Sequence, residues 1–79
     1  MRTSAAKEER PSAREVRFDR DMMHVHLADG RIVGVPLRWF PRLQKASLAE
    51  RENWRLIGGG IGIHWPDLDE DVSVAALLK

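Results

Sequence analysis

MMHVHLADGRIVGVP, residues 22–36, is the stretch on which the fold turns. Met23, Val25 and Leu27 alternate with His24 and His26, Asp29-Gly30 interrupts, and Ile32, Val33 and Val35 resume the apolar run. Alternation with a period of two is the mark of a strand with one buried face. Asp-Gly between two such runs predicts a hairpin, because a two-residue type I′ turn needs positive φ at both central positions, which Asp tolerates and Gly adopts freely. A turn of that length predicts the register as well. Leu27 would face Ile32 and Val25 would face Gly34, with His26 and His24 opposite Val33 and Val35 on the other side of the sheet. Pro36 has no N–H to give and ends the ladder.

Working outward, Val16 and Phe18 alternate with Arg17 and Asp19, which predicts a strand before the hairpin and a turn over residues 19–21. Residues 1–12 mix charge with Ala, Ser and Pro11 and read as a flexible tail, leaving residues 13–79 as the single domain. After Pro36 the period changes. Trp39, Phe40, Leu43 and Ala46 fall near helical spacing, and Pro41 is acceptable in a first turn, so a short helix is expected over 41–46. Ser47-Leu-Ala-Glu50 fits a capping box, which starts a second helix running to about residue 54. Leu56, Ile57, Ile61 and Ile63 flank Gly58, Gly59 and Gly60, whose missing side chains suit a bulge, a tight bend or the close approach of another backbone between two strands. Pro66 leads into Asp67, Asp69, Glu70 and Asp71, and Ser73 can cap a last helix through Ala75, Leu77 and Leu78. The fold class that emerges is α+β: an antiparallel β-meander, two short helices, a strand pair bent at the glycines and a short C-terminal helix.

Composition limits the function. A chain of 79 residues with 43% hydrophobic and 32% charged content makes one soluble domain. Its core is thin, and self-association would add to it. There is no cysteine, which removes disulfide frameworks, thiolate zinc sites and cysteine nucleophiles. No segment resembles a signal-peptide core or the ~20 apolar residues of a membrane span, so a reducing cytoplasm is the expected compartment, with no membrane partner. The formal charge is only +1, but residues 1–55 hold 12 of the 13 basic and 8 of the 12 acidic residues, a net +4 against −3 for the remainder. Such a split can orient a partner, or set an acidic segment against the basic half of the same or a neighbouring subunit.

Several segments taken together resemble a known group. Residues 27–31 (LADGR), 36–43 (PLRWFPRL), 51–54 (RENW) and 58–65 (GGGIGIHW), with Asp69-Glu-Asp71, are similar to an uncharacterised bacterial family, domain of unknown function 2442. The likeness spans about residues 16–78. It implies a compact α+β domain, often a stand-alone small protein. In some members the domain precedes a helix-turn-helix DNA-binding region, which is not expected within these 79 residues. Relatives often lie beside another small uncharacterised protein, as toxin and antitoxin pairs do. No residue role transfers from this resemblance.

The residues themselves offer little assembled chemistry. His24 and His26 can point the same way from one strand, as metal ligands must, but a third ligand from His64, Asp67 or Asp69 is not implied by any spacing. The glycine run lacks the Lys-Ser or Lys-Thr of a phosphate loop and leads into a strand, where a dinucleotide fingerprint needs a helix. Asp67-x-Asp69 opens like a calcium loop without its later Gly and Glu. The acidic residues are expected instead to cap backbone amides at a turn and to pair with Arg38 or Arg42. Trp39, Trp54 and Trp65 are expected to fill the core; an indole left outside, Trp39 beside Phe40 above all, would be an interface anchor flanked by Arg38 and Arg42. The sequence therefore predicts a non-enzymatic protein-interaction module, antitoxin-like or regulatory, needing no cofactor or metal and binding a protein or a second copy of itself as a homodimer. Its candidate contact residues are Arg38, Trp39, Phe40, Arg42, Asp67, Asp69, Glu70 and Asp71, with Asp29, Gly30, Gly58, Gly59 and Gly60 as structural turns. The alternatives are an accessory domain in DNA-linked regulation, predicting salt-dependent DNA binding, and a small metal-dependent enzyme built on His24 and His26.

Overall fold

β1 (Ala13–Phe18), β2 (Met22–Leu27) and β3 (Ile32–Pro36) pair antiparallel in the order β1-β2-β3 in the computed structural model, which describes residues 11–78. Most of the expected flexible tail, residues 1–10, lies outside the described residues. At the β1–β2 corner, Asp19 Oδ1 accepts from the amides of Asp21 and Met22 at 3.0 and 2.8 Å, closing the expected turn.

The β2–β3 hairpin is present, but its register differs by one residue from the expectation. Val25 lies opposite Val33, His24 opposite Gly34, and His26 opposite Ile32. The cause is the loop. The Gly30 amide donates to the Leu27 carbonyl (3.0 Å), and the Leu27 amide donates to the Arg31 carbonyl (2.8 Å), so three residues, not two, cross between the strands. Among these only Gly30 has positive φ, at +97°, the arrangement of a turn followed by a left-handed glycine bulge. Asp29 stays at ordinary φ, and its carboxylate accepts from the Arg31 amide at 3.0 Å. Because a one-residue slip exchanges the faces of a strand, Val33 and Val35 turn toward the core while Ile32 stands 57% exposed.

A second antiparallel sheet, β4 (Arg55–Ile57), β5 (Gly62–Trp65) and β6 (Glu70–Ser73), has the order β4-β5-β6. The expected glycine-bent pair is β4–β5, joined by a 3₁₀ turn at Gly58–Gly60. The third strand comes from the acidic stretch that reads as a turn. Pro66 and Asp67 do turn, with the Leu68 amide donating to the Trp65 carbonyl (3.1 Å), and Asp69 completes the reversal at φ 51°. Val72 can then lie opposite Ile63, both buried.

Three short helices complete the chain: α1 (Pro41–Lys45), α2 (Leu48–Glu52) and α3 (Val74–Leu77). The capping box of α2 is formed in both directions, Glu50 N to Ser47 Oγ at 3.1 Å and Ser47 N to Glu50 Oε1 at 2.9 Å. No residue of α2 is buried, so little packing holds it and its cap carries more of the work. Ser47→Ala is expected to cost about 1 kcal/mol in urea denaturation, with the loss local to residues 47–52 in amide exchange. Arg51 ties α2 to α1: its Nε donates to the Leu43 carbonyl and its Nη2 to the Gln44 carbonyl, each at 2.8 Å. Both carbonyls belong to the last turn of α1, where a helix runs short of its own donors; Leu43 O also accepts from the Ala46 amide at 3.2 Å.

The two sheets and α1 share one core, in which Met23, Val25, Leu43, Ile63, Trp65 and Val74 are fully buried. The Trp65 indole donates through Nε1 to the Arg51 carbonyl at 3.0 Å, and the Phe18 ring meets it edge-on at 6.4 Å between centroids. No helix among the described residues is long and apolar enough to cross a membrane.

Candidate docking surface

The segment after β3 forms a corner whose inside and outside are set residue by residue. Pro36 ends the strand, and the Leu37 amide donates to the Asp21 carbonyl at 2.9 Å, which anchors the chain as it turns. A 3₁₀ turn over Leu37–Trp39 follows, closed by Phe40 N to Leu37 O at 2.8 Å. Leu37 occupies the buried place; Arg38 and Trp39 point to solvent, and Phe40 packs half-buried against the core. Pro41 then takes the first position of α1, where its missing N–H costs nothing, and Leu43 is buried beneath it. Trp39 is left 61% exposed, whereas Trp65 is buried and Trp54 half-buried against the core. Of the three indoles expected in the core, Trp39 is therefore outside it. The local reason is that Leu37, one step past the strand, already fills the inward position.

Arg42 reaches from α1 to the acidic turn, but it binds carbonyls and not carboxylates. Its Nη1 donates to Asp69 O at 2.7 Å, with Leu68 O at 3.5 Å. The expected pairing of residues 67–71 with Arg38 or Arg42 is thus replaced by other partners. Asp67 accepts from Asn53 Nδ2 at 3.0 Å, and Asp71 pairs with Nδ1 of His64 directly across the β5–β6 ladder. Glu70 stands opposite Trp65 on β6. Arg38 makes no ion pair among the described residues. The outcome is a surface with Arg38, Trp39 and part of Phe40 at the corner and the acidic turn brought alongside by Arg42.

The remaining candidates are apart from this surface. His24 and His26 share the outer face of β2, as their spacing predicts, and His24 Nε2 pairs with Asp19 Oδ2 at 2.8 Å. That bond, with the Met22 and Asp21 amides, holds the Asp19 carboxyl below its ordinary 3.8. His64 pairs with Asp71 on the other sheet. Among the described residues no group of three or more His, Asp or Glu side chains is placed to hold a metal ion. Of the turn residues, Gly60 meets the start of β1: a Cβ there would stand 2.5 Å from the Ala13 carbonyl oxygen. Sequence reasoning missed Arg51, whose tie to α1 lies eight residues back along the chain, and His64–Asp71, which needed β6 to be recognised first.

A family model described as "Protein of unknown function (DUF2442)" matches residues 13–79. Among solved structures, a crystal structure of a protein of unknown function from Rhodospirillum rubrum ATCC 11170 is similar to this chain, with 32% sequence identity and a TM-score of 0.75, covering 89% of this chain and 87% of that one. No curated protein matches significantly.

Proposed function

We propose that this chain, which belongs to the DUF2442 family, is a non-enzymatic protein-interaction module, of the antitoxin-like or regulatory kind, that docks its partner through the corner after β3. The observation that carries this reading is the exposure of Trp39, 61% in a chain that buries Trp65 completely. Trp and Arg, here side by side and exposed, are the side chains that most often dominate binding energy at protein interfaces. Arg38 beside Trp39 adds a charge with no ion-pair partner among the described residues, suited to an acidic rim on the partner. A cysteine-free chain suits a reducing cytoplasm.

The test is affinity capture from a host lysate by the wild-type chain and by Trp39→Ala. Retention of a defined protein by the wild type, weakened about tenfold or more in the variant, is the expected result. Salt-dependent retention of nucleic acid instead of protein would transfer the reading to DNA-linked regulation. Retention of nothing, by a chain that also fails to self-associate, would remove the interaction role.

A further inference from the structure

We infer that β3 is an open pairing edge that takes up β3 of a second copy of this chain, antiparallel about Gly34, an assignment that rests on the interaction-module reading. The direction of each backbone group follows from the ladder. The Arg31 carbonyl accepts from Leu27 and the Leu37 amide donates to Asp21, so residues 31 and 37 both face the β2 side. Alternation then turns Val33 and Val35 toward β2 as well, and turns Ile32, Gly34 and Pro36 outward. Among the described residues no hydrogen bond reaches the outward N–H or C=O of Ile32 or Gly34, while the Pro36 carbonyl, at the N-cap of the 3₁₀ turn over Leu37–Trp39, accepts within that turn. Pro36 conforms to the same logic, since the donor it lacks would have pointed away from the sheet.

Other strand edges are defended by charge or by brevity. β1 carries Arg14, Glu15 and Arg17, β6 carries Glu70 and Asp71, and β4 has three residues beginning with Arg55. β3, Ile-Val-Gly-Val-Pro, has no charge, and an uncharged open edge is a template for another strand.

The occupant is a second copy because the edge is complementary to itself. Antiparallel pairing about a dyad at Gly34 lets each Gly34 exchange N–H and C=O with its counterpart, and Ile32 N–H meets the second lone pair of the other copy's Pro36 carbonyl, whose first serves its own 3₁₀ turn. Only the Ile32 carbonyl is left facing the missing proline donor. Val33 would lie opposite Val35 of the second copy on the core side, joining two meanders into one sheet over a continuous apolar face. The same register sets the corner after Pro36 beside the Ile32 end of the other β3. Ile32 and Trp39, each more than half exposed, then lie on adjoining parts of the joined surface. A symmetric interface requires this kind of reciprocity.

Sedimentation equilibrium on the full chain, with amide exchange measured at low and high protein concentration, tests the assignment. The expected result is twice the 9.0 kDa chain mass with exchange at the Ile32 and Gly34 amides slowing as concentration rises. Ile32→Lys, at a solvent-facing position, should raise the dissociation constant about tenfold or more with the circular dichroism unchanged and the urea midpoint unchanged at concentrations where both chains are monomeric. Gly34→Pro removes an N–H that the single chain leaves unbonded, and should act in the same direction. A monomer at every concentration overturns the assignment, and so does a dimer in which the Ile32 and Gly34 amides exchange no more slowly than in the monomer. A monomer that still captures another protein through Trp39 leaves the module reading standing and β3 self-pairing refuted; a heterologous protein that alone protects those amides has the same meaning.

Discussion

Trp65→Ala is expected to remove most of the stability of this chain and leave it marginally folded near room temperature. Trp65 is fully buried at the junction of β5, β1 and α2, with Phe18 in a T-shaped contact and its indole N–H bonded to the Arg51 carbonyl. Truncating a buried aromatic removes its transfer free energy and leaves a cavity, a loss of about 3–5 kcal/mol. A domain of this length has on the order of 5 kcal/mol to lose, because small chains bury a smaller share of their surface. Trp65→Phe separates the two components: it keeps most of the ring volume but strands the Arg51 carbonyl, and should cost about 1–3 kcal/mol. Urea denaturation followed by circular dichroism measures both. A Trp65→Ala chain that unfolds with the wild-type midpoint would mean that the core is not organised about this indole.

Gly60→Ala is expected to be nearly as damaging, although it adds only a methyl group. Gly60 sits at φ +102°, where an L side chain is strained, and the added Cβ would meet the Ala13 carbonyl oxygen at 2.5 Å and the Ala13 nitrogen at 3.1 Å. Neither atom belongs to a flexible side chain, so relief requires β1 to move away from the turn between β4 and β5. The strain and the displacement together should cost about 2–5 kcal/mol. Gly59→Ala is the control. It shares the positive φ, at +71°, but a Cβ there meets nothing within 4 Å, so it should cost only the conformational part, about 1–2 kcal/mol. Equal effects of the two substitutions in urea denaturation would show that the contact between the glycine turn and β1 does not matter.

The hairpin over residues 22–36 was legible because its alternation leaves one face apolar whichever way the loop is built. Its register was not, since a glycine after Asp29 serves a two-residue turn and a three-residue loop equally well. What decided between them was the Asp29 carboxylate accepting the Arg31 amide, which keeps Asp29 itself out of positive φ. The capping box of α2 and the Ser73 cap of α3 were readable because a cap is a local contact between residues three apart. β6 was hidden for the opposite reason: Glu70 and Asp71 are poor strand formers, and only Val72, by pairing with Ile63, marks the buried face. At the candidate surface, the sequence located the Arg and Trp residues but not their orientations. Charge counting gave Arg42 a carboxylate partner, whereas the fold offers it the carbonyls of Leu68 and Asp69. Leu37 took the inward position that spacing alone could as well have given to Trp39.

Stability and partner binding of Trp39→Ala, measured on the same preparation, bear most directly on the claim that the corner after β3 exists for docking. An exposed side chain with no structural duty can be truncated at little cost, within about 0.5 kcal/mol, while a central interface residue loses about tenfold or more in affinity. A docking corner predicts a wild-type urea midpoint together with lost binding. A variant that unfolds early yet binds its partner as the wild type does would contradict it, by making Trp39 a prop of the fold.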